Sequence, residues 1–114
     1  MKPISKQNAE HYTWGDACDG WHLLKSPRLS VIQERVPPGG AETRHFHERA
    51  QQFFYILSGE AVMEMDGGET VLKPGQGLAV PPGVSHRLRN RGNMDLIFLV
   101  ISAPPSHGDR ITTA

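Results

Sequence analysis

The chain has 114 residues and one cysteine, Cys18, so no disulfide can form within it and the fold must be held by packing or by a metal. Excess charge is missing too. Twelve Lys and Arg balance twelve Asp and Glu, which removes the basic footprint of a sequence-independent nucleic-acid binder or a membrane-surface protein. There is no helix-turn-helix pattern and no basic stretch. The longest apolar runs, residues 53–57 and 96–101, are far too short to cross a bilayer, and the first seven residues hold no apolar stretch of signal-peptide length. These absences predict no nucleic-acid partner, no membrane partner and a reducing, cytoplasmic setting.

What the chain does have is turn chemistry. Twelve Gly and nine Pro leave few segments able to sustain a long helix, which favours an all-β protein. From residue 20 onward, apolar or β-branched runs alternate with turn signals at short intervals, among them Pro37-Pro38-Gly39-Gly40, Asp66-Gly67-Gly68, Lys73-Pro74-Gly75 and Pro81-Pro82-Gly83. Many short strands in succession predict a sandwich or barrel. The expected organisation is one domain: an arm without clear period over residues 1–19, with at most one turn of helix, a barrel over about 20–103, and a polar tail over 104–114. The tail is expected to be a solvated terminus, with folding over the barrel mouth as the alternative.

Three of the six histidines suggest one site. In extended chain, residues two apart share a face, so His45 and His47 converge while Phe46 faces away. By the same alternation Gln52, Phe54 and Ile56 share one face, and Gln51, Phe53, Tyr55 and Leu57 the other. His86, Leu88 and Asn90 align after the turn at Pro81-Pro82-Gly83. Three imidazoles with a side-chain oxygen nearby make a suitable ligand set for one divalent transition metal, with iron, manganese, nickel, zinc, cobalt and copper all open.

The spacing Gly39, His45, His47, Gln52, Gly59 resembles the first motif of the cupin superfamily, and Gly75, Pro81, Gly83, His86, Asn90 matches its second motif at every signature position. The resemblance implies a double-stranded β-helix, that is, a jelly-roll barrel of six to eight strands, with a metal inside and an open mouth for small ligands. The metal set it implies is His45, His47, Gln52 and His86. Gln52 is the departure, since family members usually carry a glutamate there. A glutamine can still ligate through its amide oxygen, but it is neutral. Four neutral ligands leave the full metal charge uncompensated and so favour an anionic ligand.

Phe54, Ile56, Met63 and Leu88 are candidates to wall a ligand pocket, with core packing as the competing role. Asn90 is expected to tie strand backbones together, Tyr55 to face away from the metal, and Cys18 to be an inert thiol. No catalytic acid or base can be named from the sequence, and no organic cofactor is implied. The resulting expectation is a metal-dependent enzyme, dioxygenase-like or isomerase-like, acting on a small organic molecule, with a non-catalytic binding or sensor barrel as the alternative. A homodimer is also expected: Trp14, Trp21, Leu23 and Leu24 lie ahead of the motif region and would form an apolar outer patch, which an exposed strand edge would help to pair.

Overall fold

The computed structural model describes residues 2–113, and among these every regular element is a strand. In chain order they are β1 (Glu10–Trp14), β2 (Cys18–Lys25), β3 (Ser30–Val36), β4 (His45–His47), β5 (Gln51–Ser58), β6 (Ala61–Met65), β7 (Gly68–Leu72), β8 (Gly77–Val80), β9 (His86–Asn90), β10 (Leu96–Ala103) and β11 (Arg110–Thr112). They form two antiparallel sheets, one of six strands in the order β1-β2-β3-β10-β5-β8 and one of five in the order β11-β4-β9-β6-β7. No helix is long and apolar enough to cross a membrane.

Alternation decides what each strand buries. On β10, Leu96, Phe98, Val100 and Ser102 are buried while the residues between them are half-exposed. On β5, Gln52, Phe54 and Ile56 point inward, and Phe53, Tyr55 and Leu57 are exposed, as the sequence pattern predicts. The two inner faces meet in one core built around Phe54, Phe98, Ile56, Met63, Leu88 and Leu96. Each such side chain contributes roughly 1.5–3 kcal/mol by leaving water. Phe54 and Phe98 lie across one another with ring centroids 6.0 Å apart.

Both ends of the chain differ from expectation. The segment read as an arm contains β1 and the start of β2, paired in full register from Glu10↔His22 to Trp14↔Cys18. Tyr12 and Trp14 face inward while His11 and Thr13 are exposed, an alternation too short and too polar to stand out in the sequence. Trp14 packs against the core rather than outside it, and its indole N–H donates to the Asp19 carbonyl at 3.1 Å. Gly20 permits this arrangement, because a Cβ there would collide with the Tyr12 ring. The tail is not a solvated terminus either. It supplies β11, which pairs with β4 from Arg110↔His47 to Thr112↔His45 and adds an eleventh strand beyond the six to eight of the expected barrel.

Candidate metal centre

The five-stranded sheet places the three histidines side by side. His45 and His47 alternate inward on β4, and His86 on β9 sits directly opposite His45 in register. The turn that launches β9 carries Gly83 at φ +81°, and its N–H donates to the His47 carbonyl at 2.7 Å, which ties the approach to His86 to the strand holding His47. The rings are 4.4 Å apart for His45–His86 and 4.9 Å for His45–His47, centroid to centroid. One ligand atom from each of the three lies within 4.8 Å of the others.

Each imidazole is oriented by its own backbone acceptor. Nδ1–H of His45 donates to the Thr43 carbonyl at 2.6 Å, that of His47 to the Asp109 carbonyl at 2.8 Å, and that of His86 to the Val84 carbonyl at 3.0 Å. These bonds fix the tautomer, leaving an Nε2 lone pair on every ring. Burial, the largest influence on all three, keeps them neutral: His45 is driven down to about 3, and His47 and His86 are also lowered. Opposite them, on β5, Gln52 donates from Nε2 to the Ser102 hydroxyl at 3.0 Å, which turns its amide oxygen the other way. His47 Nε2, His86 Nε2 and Gln52 Oε1 are all buried without a hydrogen-bond partner.

Unpaired buried acceptors cost free energy, and two of them, His47 Nε2 and His86 Nε2, belong to one cluster with His45. A cation is the partner that such a set fits. The donor chemistry of the cluster, three imidazole nitrogens, suits a divalent transition ion. The structure thus brings His45, His47 and His86 together in one cluster and leaves the Gln52 oxygen unpaired on the same inward-facing surface of β5.

The other sequence candidates fall into the core. Phe54, Ile56, Met63 and Leu88 are at most 1% exposed and belong to the hydrophobic cluster, with the Phe54 ring edge-on to His86 at 5.9 Å. Asn90 donates to the carbonyls of Val36 at 3.0 Å and Met94 at 2.8 Å and accepts from the Gly92 N–H at 2.9 Å, a purely structural tie. Cys18 is fully buried and its thiol is pushed up by desolvation.

Two groups of polar residues escaped the sequence reading. One is an acidic set. Glu34 points inward from β3 and accepts the Tyr12 hydroxyl at 2.9 Å, while Glu42 accepts the Leu88 N–H at 3.0 Å. Neither carboxyl has a cationic partner among the described residues, and burial, reinforced in Glu34 by the neighbouring Glu42, pushes Glu34 up to about 8; burial alone pushes Glu42 up to about 7. The available signal was the alternation Ser30, Ile32, Glu34, Val36, which sets a glutamate among inward-facing positions. The other is Asp109, whose carboxylate takes the N–H groups of Glu48, Arg49 and Ala50 at 2.9–3.0 Å. Those bonds, Arg49's first, hold its carboxyl below the usual range and lock the turn after β4. No local pattern in the tail announces this role.

Comparison with known proteins agrees with the geometry. Residues 32–102 match the family model described as the cupin domain. The oxalate-binding protein of Thermotoga maritima is 37% identical over 85 residues, covering 70% of each chain. Among solved structures, a protein of Thermotoga maritima described as a predicted oxalate decarboxylase superposes with a TM-score of 0.82 at 25% identity, covering 90% of this chain and 98% of that one. The polyketide cyclase RemF of Streptomyces resistomycificus reaches 0.87 at 18% identity, covering 100% and 86%, which shows the shared fold. With the double-stranded β-helix, both signature motifs and the family model in agreement, this chain belongs to the cupin family.

Proposed function

We propose that this chain binds one divalent transition metal through His45, His47, His86 and Gln52 and acts as a metal-dependent enzyme on a small anionic organic molecule. The observation that carries this reading is the set of buried, unpartnered ligand atoms on His47, His86 and Gln52. A bound ion would supply Lewis-acid chemistry, and oxygen activation if it is redox-active. The chain's own contribution is orientation and exclusion of water. The three Nδ1–carbonyl bonds and the Gln52–Ser102 bond hold the ligand atoms in place, and Phe54 and the core around it keep the inner side dry. With all four ligands neutral, the ion keeps its charge and attracts a carboxylate or enolate. Glu34 and Glu42, carboxyls without cations, are the interior groups able to carry an exchangeable proton near neutral pH.

A second reading, a binding barrel without turnover, is favoured by the Thermotoga relative named as an oxalate-binding protein. Metal analysis of protein purified without added metal, then oxygen uptake with catechols, diketones and flavonols and calorimetry with oxalate, separates the two. Consumption of oxygen or substrate supports the enzyme; oxalate binding with no turnover of any kind supports the barrel. A protein that takes up no transition metal contradicts both.

The working state we propose is a homodimer in a reducing cytoplasm. The outer face of the six-stranded sheet is apolar, with Phe53, Tyr55 and Leu57 exposed on β5 beside Leu99 and Ile101 of β10. Of the patch expected from sequence, Trp14 packs against the core while Trp21, Leu23 and Leu24 stay at least partly exposed on the same six-stranded sheet, and we take the β5–β10 face as the surface for pairing. Light scattering at micromolar concentration should return twice the chain mass, and Phe53→Glu should lower it; a monomer for the unaltered chain contradicts the pairing.

A further inference from the structure

Beside the histidines the tail strand β11 carries an arginine that the ligand set does not use. Arg110 lies opposite His47 in the β4–β11 pairing and Thr112 opposite His45. Directly opposed residues of an antiparallel pair project from the same face, so Arg110 leaves β11 on the side that carries the imidazoles. Its Nη2 donates to the Thr43 carbonyl at 3.3 Å, the same oxygen that takes the His45 Nδ1–H. The residue before it supplies the carbonyl that orients His47. The guanidinium is therefore anchored one acceptor away from His45, on a strand clamped to His47.

Among the described residues Arg110 has no carboxylate within ion-pair distance, whereas Arg35, Arg44, Arg87 and Arg89 are paired. Arg28, Arg49 and Arg91 are also without an ion pair but lie outside the strands, while Arg110 stands on the strand paired with the one that carries His45 and His47. Most of its five N–H donors have no acceptor in the fold. Its positive charge nonetheless reaches inward, acting on all three histidines and on both buried glutamates. With a divalent ion in place, neutral ligands and an unpaired arginine leave this end of the interior positive, and an anion is the complement.

We propose that Arg110 is the anion-holding residue of the centre, its planar fork taking a carboxylate of a small organic acid whose remaining oxygens face His45, His47 and His86. This rests on the metal-centred reading above and names the ligand class for it. A guanidinium matches a carboxylate in bidentate fashion, which a lysine cannot do. The tail would thus be part of the binding site, and its docking onto β4 the step that completes it.

The test is calorimetry on the full chain loaded with Mn²⁺, titrated with oxalate and malonate, for the unaltered protein, Arg110→Gln and Arg110→Lys, with Mn²⁺ affinity and the thermal midpoint measured for each. Expected is a loss of about 10- to 100-fold in oxalate affinity for Arg110→Gln, from removing a charge-assisted bidentate contact, with partial recovery in Arg110→Lys. Mn²⁺ affinity should not fall in Arg110→Gln, because Arg110 is not a ligand and its loss takes a positive charge away from the histidines, whereas a residue that only ties β11 to Thr43 would lower the thermal midpoint and leave oxalate affinity equal. Equal oxalate affinity in Arg110→Gln overturns the inference while leaving the metal centre standing. Failure of the unaltered chain to bind Mn²⁺ or any other transition metal overturns the reading beneath it. Binding of Mn²⁺ but of neither acid overturns the inference, ligand class and Arg110 role together, and leaves the metal centre standing. Should Arg110→Gln not fold, Arg110→Lys decides: weaker oxalate at unchanged Mn²⁺ affinity supports the role, and equal affinity contradicts it.

Discussion

The barrel interior holds two polar regions that treat charge in opposite ways. Around His45, His47 and His86 burial strips protons: every Nδ1–H is committed to a carbonyl and every Nε2 is left as a lone pair. Around Glu34 and Glu42 burial retains protons, because among the described residues neither carboxyl has a cation within ion-pair distance, the Arg110 charge opposes the effect without cancelling it, and the side-chain donor bonded to Glu34 is the Tyr12 hydroxyl. The first region can accept a cation without losing anything it has; the second can release a proton. The difference teaches that one desolvating interior can create a site for metal and a reservoir of protons, depending on whether the buried base or the buried acid is the neutral form.

The histidine region should be the more sensitive to truncation. His86→Ala removes a fully buried ligand, and metal affinity should fall by more than about 100-fold, read by competition with a chromophoric chelator. The pH dependence of stability assigned to Glu34 should survive that change, and if it vanished the two regions would not be separable.

Glu34→Gln probes the other side. The folded protein holds this proton up to about 8, while an unperturbed glutamate releases it near 4.5, so Glu34 makes stability fall as pH rises through that interval. Tyr12 and Glu42 face this carboxyl, and Arg110 opposes the effect, so the variant's gain is smaller than a lone group would give. Comparing urea unfolding at pH 8 and pH 5, Glu34→Gln should gain about 3 kcal/mol relative to the unaltered chain at the higher pH. An identical difference at both pH values would mean that Glu34 is ionised throughout.

The smallest effect sharpens the boundary between the regions. Gln52→Glu places a negative charge in the otherwise neutral ligand set, and Mn²⁺ should bind about tenfold more tightly by isothermal titration, because hard ions prefer charged oxygen. An unchanged affinity would show that the Gln52 oxygen does not ligate.

These two regions were unequally legible in the sequence. His45-x-His47, Gln52 and His86 stand on strands whose alternation and flanking turns are explicit, so their convergence follows from a period of two and the glycine turn at Gly83. Glu34 was equally inward by alternation, yet its partner Tyr12 comes from β1, where only two inward residues mark the strand and pairing with β2 settles the matter. Asp109 and Arg110 could not be placed because their partners are in β4 and in the turn that follows it, some sixty residues away. Long-range backbone acceptors leave no local trace. The same limit explains the tail, whose polar sequence reads as a solvated terminus although β11 pairs with β4 and the Asp109 carboxylate is bonded to the turn that follows it.

The central claim is that the three imidazoles converge on a cation. An anomalous-difference map from a crystal grown with Mn²⁺, collected at an energy where manganese scatters anomalously, tests it most directly. One strong peak is expected within coordination distance of Nε2 of His45, His47 and His86 and of the Gln52 amide oxygen. A metal-replete crystal with no peak among the three rings would contradict it.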